Sequence, residues 1–339
     1  MSLPPVDERC IRCGACRKGC SFLTKYGLDS ADYAELEPLA FHCFQCGDCS
    51  RACPVGIDGK GSILQMRRET VANRGLEAYD FGLILREKAR YPFANYREAT
   101  GKSVLFPGCN FISLYPETLR LLAEQVRDIA NMGIAFDCCS KPVTDLGLDE
   151  DAERIRTAIE RRLVSQGVEE VVTLCPGCYE VFSQSFTIKV TNIYDKLAEL
   201  GIGRILDHPI TLYPSCPDKD GLTWVASLRS HFAPQAHLLT GSMCCGEGGS
   251  AIRHEPLLAT QMRAAVAERI TSEKPEDNTR TLHTYCATCI GSFSKVGSGW
   301  TRHVLLDILG SDEAPKTGSS LINRVRARFW RARSRRHEG

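Results

Sequence analysis

Eight cysteines near the start of the chain fall in two runs of one spacing, Cys10-x2-Cys13-x2-Cys16-x3-Cys20 and Cys43-x2-Cys46-x2-Cys49-x3-Cys53-Pro54. No other feature limits the fold as tightly. Three thiolates at this spacing can wrap three corners of one [4Fe–4S] cubane, and Gly14 and Gly47 relieve the backbone where it turns around the sulfides. The fourth cysteine of each run sits too far round to reach the same cluster and normally ligates the other. One set is therefore Cys10, Cys13, Cys16 and Cys53, and the other is Cys43, Cys46, Cys49 and Cys20. CxxC pairs also suit tetrahedral zinc, but zinc takes four ligands and fits a doubled three-plus-one pattern poorly. Ser21 stands where a proline usually follows the fourth cysteine, and proline is not a ligand.

The 339 residues hold 18 cysteines, all clustered, in a chain whose hydrophobic share (43%) and charged share (24%) are those of a soluble globular protein. Met1–Glu8 has no basic region followed by an apolar stretch, and no uncharged apolar run reaches the roughly 18 residues of a membrane span. The expected location is therefore the cytoplasm, where so many thiols imply metal or redox chemistry rather than a disulfide framework. No P-loop or Rossmann glycine fingerprint is present, so a nucleotide or flavin belongs on a partner.

The expected fold class is α+β, with four segments: an N-terminal α-helical cluster domain over 1–100, two α/β cysteine-rich repeats over 101–203 and 204–312, and a tail over 313–339. Residues 61–100 read as helical, with Ile63, Leu64, Met66, Val71, Phe81, Leu83, Ile84 and Leu85 recurring among Arg and Glu. Val104–Phe106, Ile134–Phe136, Val171–Leu174 and Ile210–Tyr213 read as strands. Glu117–Met132, Asp151–Gln166, Glu255–Ser272 and Thr301–Leu309 read as helices, an alternation that predicts mainly parallel pairing. The two repeats match part by part: Phe106-Pro107-Gly108-Cys109 with Tyr213-Pro214-Ser215-Cys216, Cys138-Cys139 with Cys244-Cys245, and Cys175-Pro176-Gly177-Cys178 with Cys286-Ala287-Thr288-Cys289. Two copies of one unit packed about a pseudo-twofold axis are expected.

The N-terminal runs have the bacterial ferredoxin spacing, and the long segment Ser21–His42, with a plausible helix around Asp32–Leu39, points to the α-helical ferredoxin domain of respiratory subunits. The five-cysteine repeats, Cys109, Cys138, Cys139, Cys175 and Cys178, then Cys216, Cys244, Cys245, Cys286 and Cys289, resemble the cysteine-rich CCG domain. That domain occurs in the B-type and D-type polypeptides of heterodisulfide reductase and in the iron–sulfur subunits of glycolate oxidase and anaerobic glycerol-3-phosphate dehydrogenase. The order of parts is most similar to the D-type polypeptide of heterodisulfide reductase. The resemblance implies two cubane [4Fe–4S] clusters and two noncubane [4Fe–4S] clusters, the latter splitting a disulfide in one-electron steps. It implies an oxidoreductase subunit that reduces a disulfide or oxidises a dithiol, served by a flavoprotein, cytochrome b or ferredoxin-like partner. Two alternatives stand beside this: the electron-transfer subunit of a flavin-dependent 2-hydroxyacid or glycerol-3-phosphate dehydrogenase, and a non-catalytic iron–sulfur scaffold or redox sensor. The repeat cysteines can also serve zinc, a conventional cubane or a dithiol relay. The second repeat keeps the full Cys244-Cys245-Gly246-Glu247-Gly248-Gly249, whereas the first has Cys138-Cys139-Ser140. The missing glycine predicts an altered first site and makes the second the better-conforming one.

Lys141, Asp145, Glu247 and His254 lie near the double cysteines and are candidate proton donors to a nascent thiolate. His42 is a candidate for tuning the potential of the set that includes Cys43. In residues 321–339, seven arginines (324, 326, 328, 331, 333, 335 and 336) against Glu338 put the tail at +6 and the rest of the chain at −5, for a net charge of +1. Basic charge confined to a tail argues against a nucleic-acid-binding face. Leu321, Val325, Phe329 and Trp330 recur there at helical spacing, which suits an anionic membrane surface, a membrane subunit or an acidic partner. The chain is thus expected to lie peripherally on the inner face of the membrane.

Overall fold

The computed structural model describes residues 6–76, 81–239, 241, 244–272, 281–297 and 299–331. The two N-terminal cysteine runs fold alike. Arg12 and Gln45, each just before the second cysteine of its run, take φ of 55° and 55°, an uncommon left-handed backbone for side-chain-bearing residues. That turn aims the Arg12 and Gln45 amides at the sulfurs of Cys10 and Cys43, at 3.4 Å and 3.4 Å. Gly14 and Gly47 then start the helices Ala15–Lys18 and Asp48–Ala52, again with positive φ. The helix expected around Asp32–Leu39 forms as Tyr33–Leu36 and continues as the 3-10 helix Glu37–His42. Asp58 caps the helix Gly59–Arg74, which buries Ile63, Met66, Arg67 and Thr70 along one face.

Residues 61–100 are not helical throughout: after Gly82–Ala89 comes a strand, β1 (Asn95–Glu98). It joins β2 (Ser103–Phe106), β3 (Gly133–Phe136), β4 (Glu170–Thr173) and β5 (Lys189–Asn192) in the order β1-β3-β2-β4-β5, so the first sheet begins upstream of residue 101. The second sheet contains β6 (Ile210–Tyr213), β7 (Ala236–Leu238), β8 (Leu282–Thr284) and β9 (Thr301–His303) in the order β7-β6-β8-β9. All neighbours are parallel except β1 with β3. Strand for strand, β2-β3-β4-β5 corresponds to β6-β7-β8-β9, and β1 has no counterpart among the described residues. Thr301–Leu309 is a strand followed by the helix Val304–Leu309 rather than one helix, because His303 turns its ring to cap the Leu305 amide.

The repeats pack by exchange. The helix Gly108–Leu114, after β2, meets Ala287–Phe293, after β8; the turn Cys216–Asp218, after β6, meets Pro176–Ser185, after β4. Pro116–Ala130 likewise meets Val304–Leu309, while Ile193–Leu200 meets Thr223–His231. Each contact has its swapped twin, as twofold packing of duplicated units requires. Leu119, Leu122 and Val126 of one repeat share an apolar core with Trp224, Leu228 and Leu305 of the other.

The N-terminal unit packs on the second repeat through Phe22, Phe44 and Met66, which meet Cys244, Ala259 and Met262, and on the first through Phe41 against Leu146 and the ion pair Lys60–Glu180 (3.4 Å). Arg67, with 0% exposure, ties three parts together by donating to the carbonyls of Ala40, Cys43, Asp145 and Gly249. The tail also differs from a free amphipathic segment. Ser320–Arg328 is a helix packed on Gly108–Leu114, burying Asn323, Ala327 and Trp330 and leaving Leu321, Ile322, Val325 and Phe329 exposed. Trp330 therefore belongs to the core rather than to the outward apolar stripe. Arg333, Arg335 and Arg336 lie outside the described residues. No helix among the described residues is long and apolar enough to cross a membrane.

Candidate metal centres

Cys20, Cys43, Cys46 and Cys49 line one cavity with Phe22, Phe44 and Gly47. Burial first, then the neighbouring Cys46, Cys43 and Cys49, push the Cys20 thiol up. The fourth cysteine of the first run thus stands with the first three of the second. In the other direction, Arg9 feels Cys53 and Arg12 feels Cys10, so Cys53 returns to the N-terminal segment. Backbone amides point at these sulfurs: Ser30 at Cys16 (3.4 Å) and Ile57 at Cys53 (3.3 Å). Gly59 is required beside Cys49, since a Cβ there would lie 2.9 Å from its sulfur.

The repeat cysteines collect at the carboxyl ends of parallel strands, where open α/β sheets place their sites. In the first repeat the thiol of Cys109 contacts Cys138, and Cys178 contacts both Cys139 and Cys175. In the second, Cys216 contacts Cys244, and Cys289 contacts both Cys245 and Cys286. The two five-cysteine sets share these pairings, and in the second Cys244 also interacts with Cys245 and Cys46. Gly108 (φ 70°) makes room in the first, for a Cβ there would come 3.1 Å from the Cys178 sulfur.

The missing glycine changes less than the sequence predicts. Ser140 takes φ of 65°, close to the 75° of Gly246 at the matching position. Its hydroxyl donates to the Ala152 carbonyl (3.1 Å) and accepts from Arg156 (3.2 Å), which holds the strained turn. Glycine is demanded at 246 instead, where a Cβ would lie 3.0 Å from the Ala259 carbonyl oxygen.

The surroundings of the two sets differ. Beside the first, Lys88 Nζ lies 4.0 Å from Cys109 Sγ and 2.8 Å from Glu87. Arg324, from the C-terminal helix, donates to Glu87 (2.7 Å), Ser113 (2.7 Å) and Asn110 (3.1 Å). The hydrogen bond from Cys138 draws Cys109 down to about 5, helped against burial by Lys88 and Arg324. Asn110 also donates to Thr288 (2.7 Å), so the loop of Cys109 touches the loop of Cys286 and Cys289 across the repeat boundary. Lys88, Asn110 and Arg324 carry no local motif. Arg324 reads in sequence as tail charge, and only the packing of its helix brings it here.

Beside the second set, Lys219 bonds Asp48 of the N-terminal unit at 2.9 Å and feels both Cys216 and Cys46. Most important, Cys244 lines the same cavity as Cys43, Cys46 and Cys49, and its thiol lowers the pKa of Cys46. The second repeat and the N-terminal set therefore share a wall.

The proton-donor candidates are mostly committed elsewhere. Lys141 pairs with Asp145 (3.2 Å) and Glu180 (3.0 Å), and these carboxylates outweigh burial and keep its pKa high. Glu247 pairs with Arg263 (3.2 Å) and Lys295 (2.8 Å). His254 stacks on His42 at 4.9 Å, with burial lowering its pKa. His42 bonds Glu255 (2.8 Å) through Nδ1, so that nitrogen is turned to a carboxylate.

None of the 18 cysteines is joined in a disulfide. Among the described residues no trio of His, Cys, Asp or Glu is arranged to hold a single metal ion. Sets of four and five soft sulfur donors, with amides aimed at the N-terminal ones, suit iron–sulfur clusters in their donor chemistry. Comparison with known families agrees: a 4Fe-4S dicluster domain matches residues 8–58, and the cysteine-rich CCG domain matches 103–183 and again 226–294. No curated protein matches the chain. Among solved structures, glutamate racemase RacE1 of Bacillus anthracis is 11% identical over 63% of this chain and 80% of its own, with a TM-score of 0.34. An aspartate racemase homologue of Pyrococcus horikoshii OT3 is 10% identical over 62% of this chain and 96% of its own, with a TM-score of 0.31. Likenesses so weak bear on neither fold nor chemistry. The chain is an iron–sulfur protein built from an N-terminal 4Fe-4S dicluster domain followed by two copies of the CCG cysteine-rich domain.

Proposed function

We propose that the chain is the iron–sulfur subunit of an oxidoreductase that moves electrons between the N-terminal cysteine sets and the CCG repeats, where a disulfide is reduced or a dithiol oxidised. The observation that carries this reading is that Cys46 and Cys244 line one cavity. Iron–sulfur clusters, when bound, supply one-electron chemistry at each thiolate set. The eight N-terminal cysteines would hold two [4Fe–4S] cubanes, and each five-cysteine repeat a noncubane [4Fe–4S] cluster. Reducing a disulfide takes two electrons and two protons and yields two thiols. A flavoprotein, cytochrome b or ferredoxin-like partner would supply the electrons and solvent the protons. The exposed apolar face of Ser320–Arg328, flanked by arginines, is the surface through which we propose the protein rests on an anionic membrane.

The test uses the cluster-loaded protein with a reduced viologen as donor and disulfides as acceptors. Disulfide-dependent viologen oxidation is expected. No turnover with any disulfide, alongside rapid electron delivery to a quinone, would instead support the reading as part of a dehydrogenase complex. Iron content checks the cofactor count: about 16 irons per chain are expected from four [4Fe–4S] clusters, and about 8 would exclude clusters in the repeats.

A further inference from the structure

The helix Ser320–Arg328 lies beyond the second CCG match, which ends at 294, yet it folds back onto the first repeat. Arg324 reaches three partners there. Its Nε donates to Ser113 Oγ (2.7 Å), and its terminal nitrogens donate to Glu87 (2.7 Å) and to Asn110 Oδ1 (3.1 Å). Each partner leads to Cys109. Ser113 Oγ donates in turn to the Cys109 carbonyl (2.6 Å). Glu87 also holds Lys88 (2.8 Å), whose Nζ is 4.0 Å from Cys109 Sγ. Asn110 is the next residue in the chain. With its oxygen turned to Arg324, its amide nitrogen is left to donate to Thr288 (2.7 Å), between Cys286 and Cys289.

The charges beside Cys109 do not cancel. Lys88 and Arg324, with side chains only 12% and 18% exposed, share one carboxylate, Glu87. The next carboxylate, Asp137, is taken by the Tyr96 hydroxyl (2.7 Å) and the Cys138 amide (2.7 Å). A positive charge is thus left over where water is largely shut out, and an unbalanced cation is costly there. What it faces is the sulfur of Cys109.

We propose that Arg324 is a positioning residue of the first cysteine set: it fixes the Cys109 loop against that of Cys289 and raises the midpoint potential of the cluster bound there. This rests on the reading that each repeat holds an iron–sulfur cluster, and not on disulfide chemistry. A cluster gains one negative charge on reduction, so a cation fixed beside its thiolates favours the reduced state. The second set has its cation in Lys219, within its own repeat. The first draws one from beyond the duplicated domains.

The test is a redox titration of the cluster-loaded protein, following the paramagnetic signal that is lost in Cys139→Ser. In Arg324→Gln the reduced-to-oxidised ratio at fixed potential should fall about tenfold, which is about 59 mV for one electron. Arg324→Lys keeps the charge but not the planar fork. Its midpoint should stay close to that of the unaltered protein, while the backbone amides of Gly108–Leu114 exchange hydrogen faster. Arg328→Gln removes a charge from the same helix, where it bonds the Pro92 carbonyl (2.8 Å), and should alter neither readout. An unmoved midpoint in Arg324→Gln, an equal fall in Arg328→Gln, or unchanged exchange in both Arg324 variants would overturn the assignment. Should Arg324→Gln fail to load the first repeat, Arg324→Lys decides: a retained midpoint with faster exchange supports the role, and a lost midpoint rejects it. About 8 irons in the unaltered protein would instead remove the cluster reading on which the role depends.

Discussion

Cys46 of the N-terminal domain and Cys244 of the second repeat line one cavity, near enough for each thiol to shift the other's pKa. Cys244 keeps Cys216 as a partner as well, whereas the matching cysteine of the first repeat, Cys138, pairs with Cys109 and lines no cavity with an N-terminal cysteine among the described residues. Of the two double-cysteine turns, the second is the one that lines a cavity with N-terminal cysteines among the described residues.

This asymmetry is measurable by redox titration. Cys244→Ser should shift the midpoint of the cluster proposed for Cys43, Cys46, Cys49 and Cys20, while Cys138→Ser should leave it in place. Lys219, bonded to Asp48 at 2.9 Å, puts a positive charge beside both Cys216 and Cys46. Lys219→Met should lower the midpoints on both sides of the wall by tens of millivolts, since the added electron loses a favourable charge. A shift confined to the second repeat would place Lys219 outside the shared wall.

The double-cysteine turns give a second, opposed pair of outcomes. Gly246→Ser puts a side chain on a left-handed backbone and 3.0 Å from the Ala259 carbonyl oxygen. It should cost about 2 kcal/mol or more and disturb the spectroscopic signature of the second repeat. Ser140→Gly relieves about 1 kcal/mol of backbone strain but gives up a comparable amount of hydrogen bonding, so stability should barely move. Chemical denaturation of the loaded protein reads both, and equal losses in the two variants would mean that the turns are not equivalent.

Legibility in the sequence follows the range of the interaction. The cysteine runs encode their chemistry in spacing, and the duplication shows in motif offsets. β2, β3, β4 and β6 are readable because helices cover both faces of a parallel sheet and leave continuous apolar runs. β5 (Lys189–Asn192) and β9 (Thr301–His303) are not, because their residues are mostly polar; Thr191, Asn192 and His303 are buried through hydrogen bonds rather than apolar character. What no local pattern carries is the meeting of distant segments: Cys46 with Cys244, Lys88 with Cys109, Arg324 with Asn110. Those contacts distinguish one repeat from the other, and only tertiary packing reveals them.

The C-terminal helix calls for substitution rather than truncation. Deleting residues 318–339 would remove Trp330, which packs on Phe136 (5.5 Å) and under Arg120 (4.3 Å), and Asn323, bonded to Ser113 (2.9 Å). Trp330→Ala alone should cost about 3 kcal/mol. Ile322→Glu/Phe329→Glu touches only exposed positions. It should abolish co-sedimentation with phosphatidylglycerol vesicles while leaving the melting temperature within about 2 °C. Unchanged vesicle binding would assign the membrane contact to another surface.

His303 gives a prediction in pH. Its Nδ1 accepts the Leu305 amide (3.3 Å) at the start of Val304–Leu309, as Asn192 accepts the Tyr194 and Asp195 amides (3.0 and 3.1 Å) at the matching helix of the first repeat. Burial holds the imidazole neutral, with its pKa down at about 3. A folded-state value below the unfolded one of about 6.5 means that the stabilisation is fully present above pH 6.5 and is lost as pH falls toward 3. By pH 5 the loss should reach about 2 kcal/mol from this one group. His303→Asn keeps a capping oxygen, as in the first repeat, and removes the titration. It should lower stability at pH 7.5, through lost packing against Phe111 (5.2 Å) and Tyr115 (5.9 Å), yet flatten the decline between pH 6.5 and 5. Denaturant midpoints across that interval read the slope directly, and an undiminished slope in the variant would assign the acid sensitivity to another buried group.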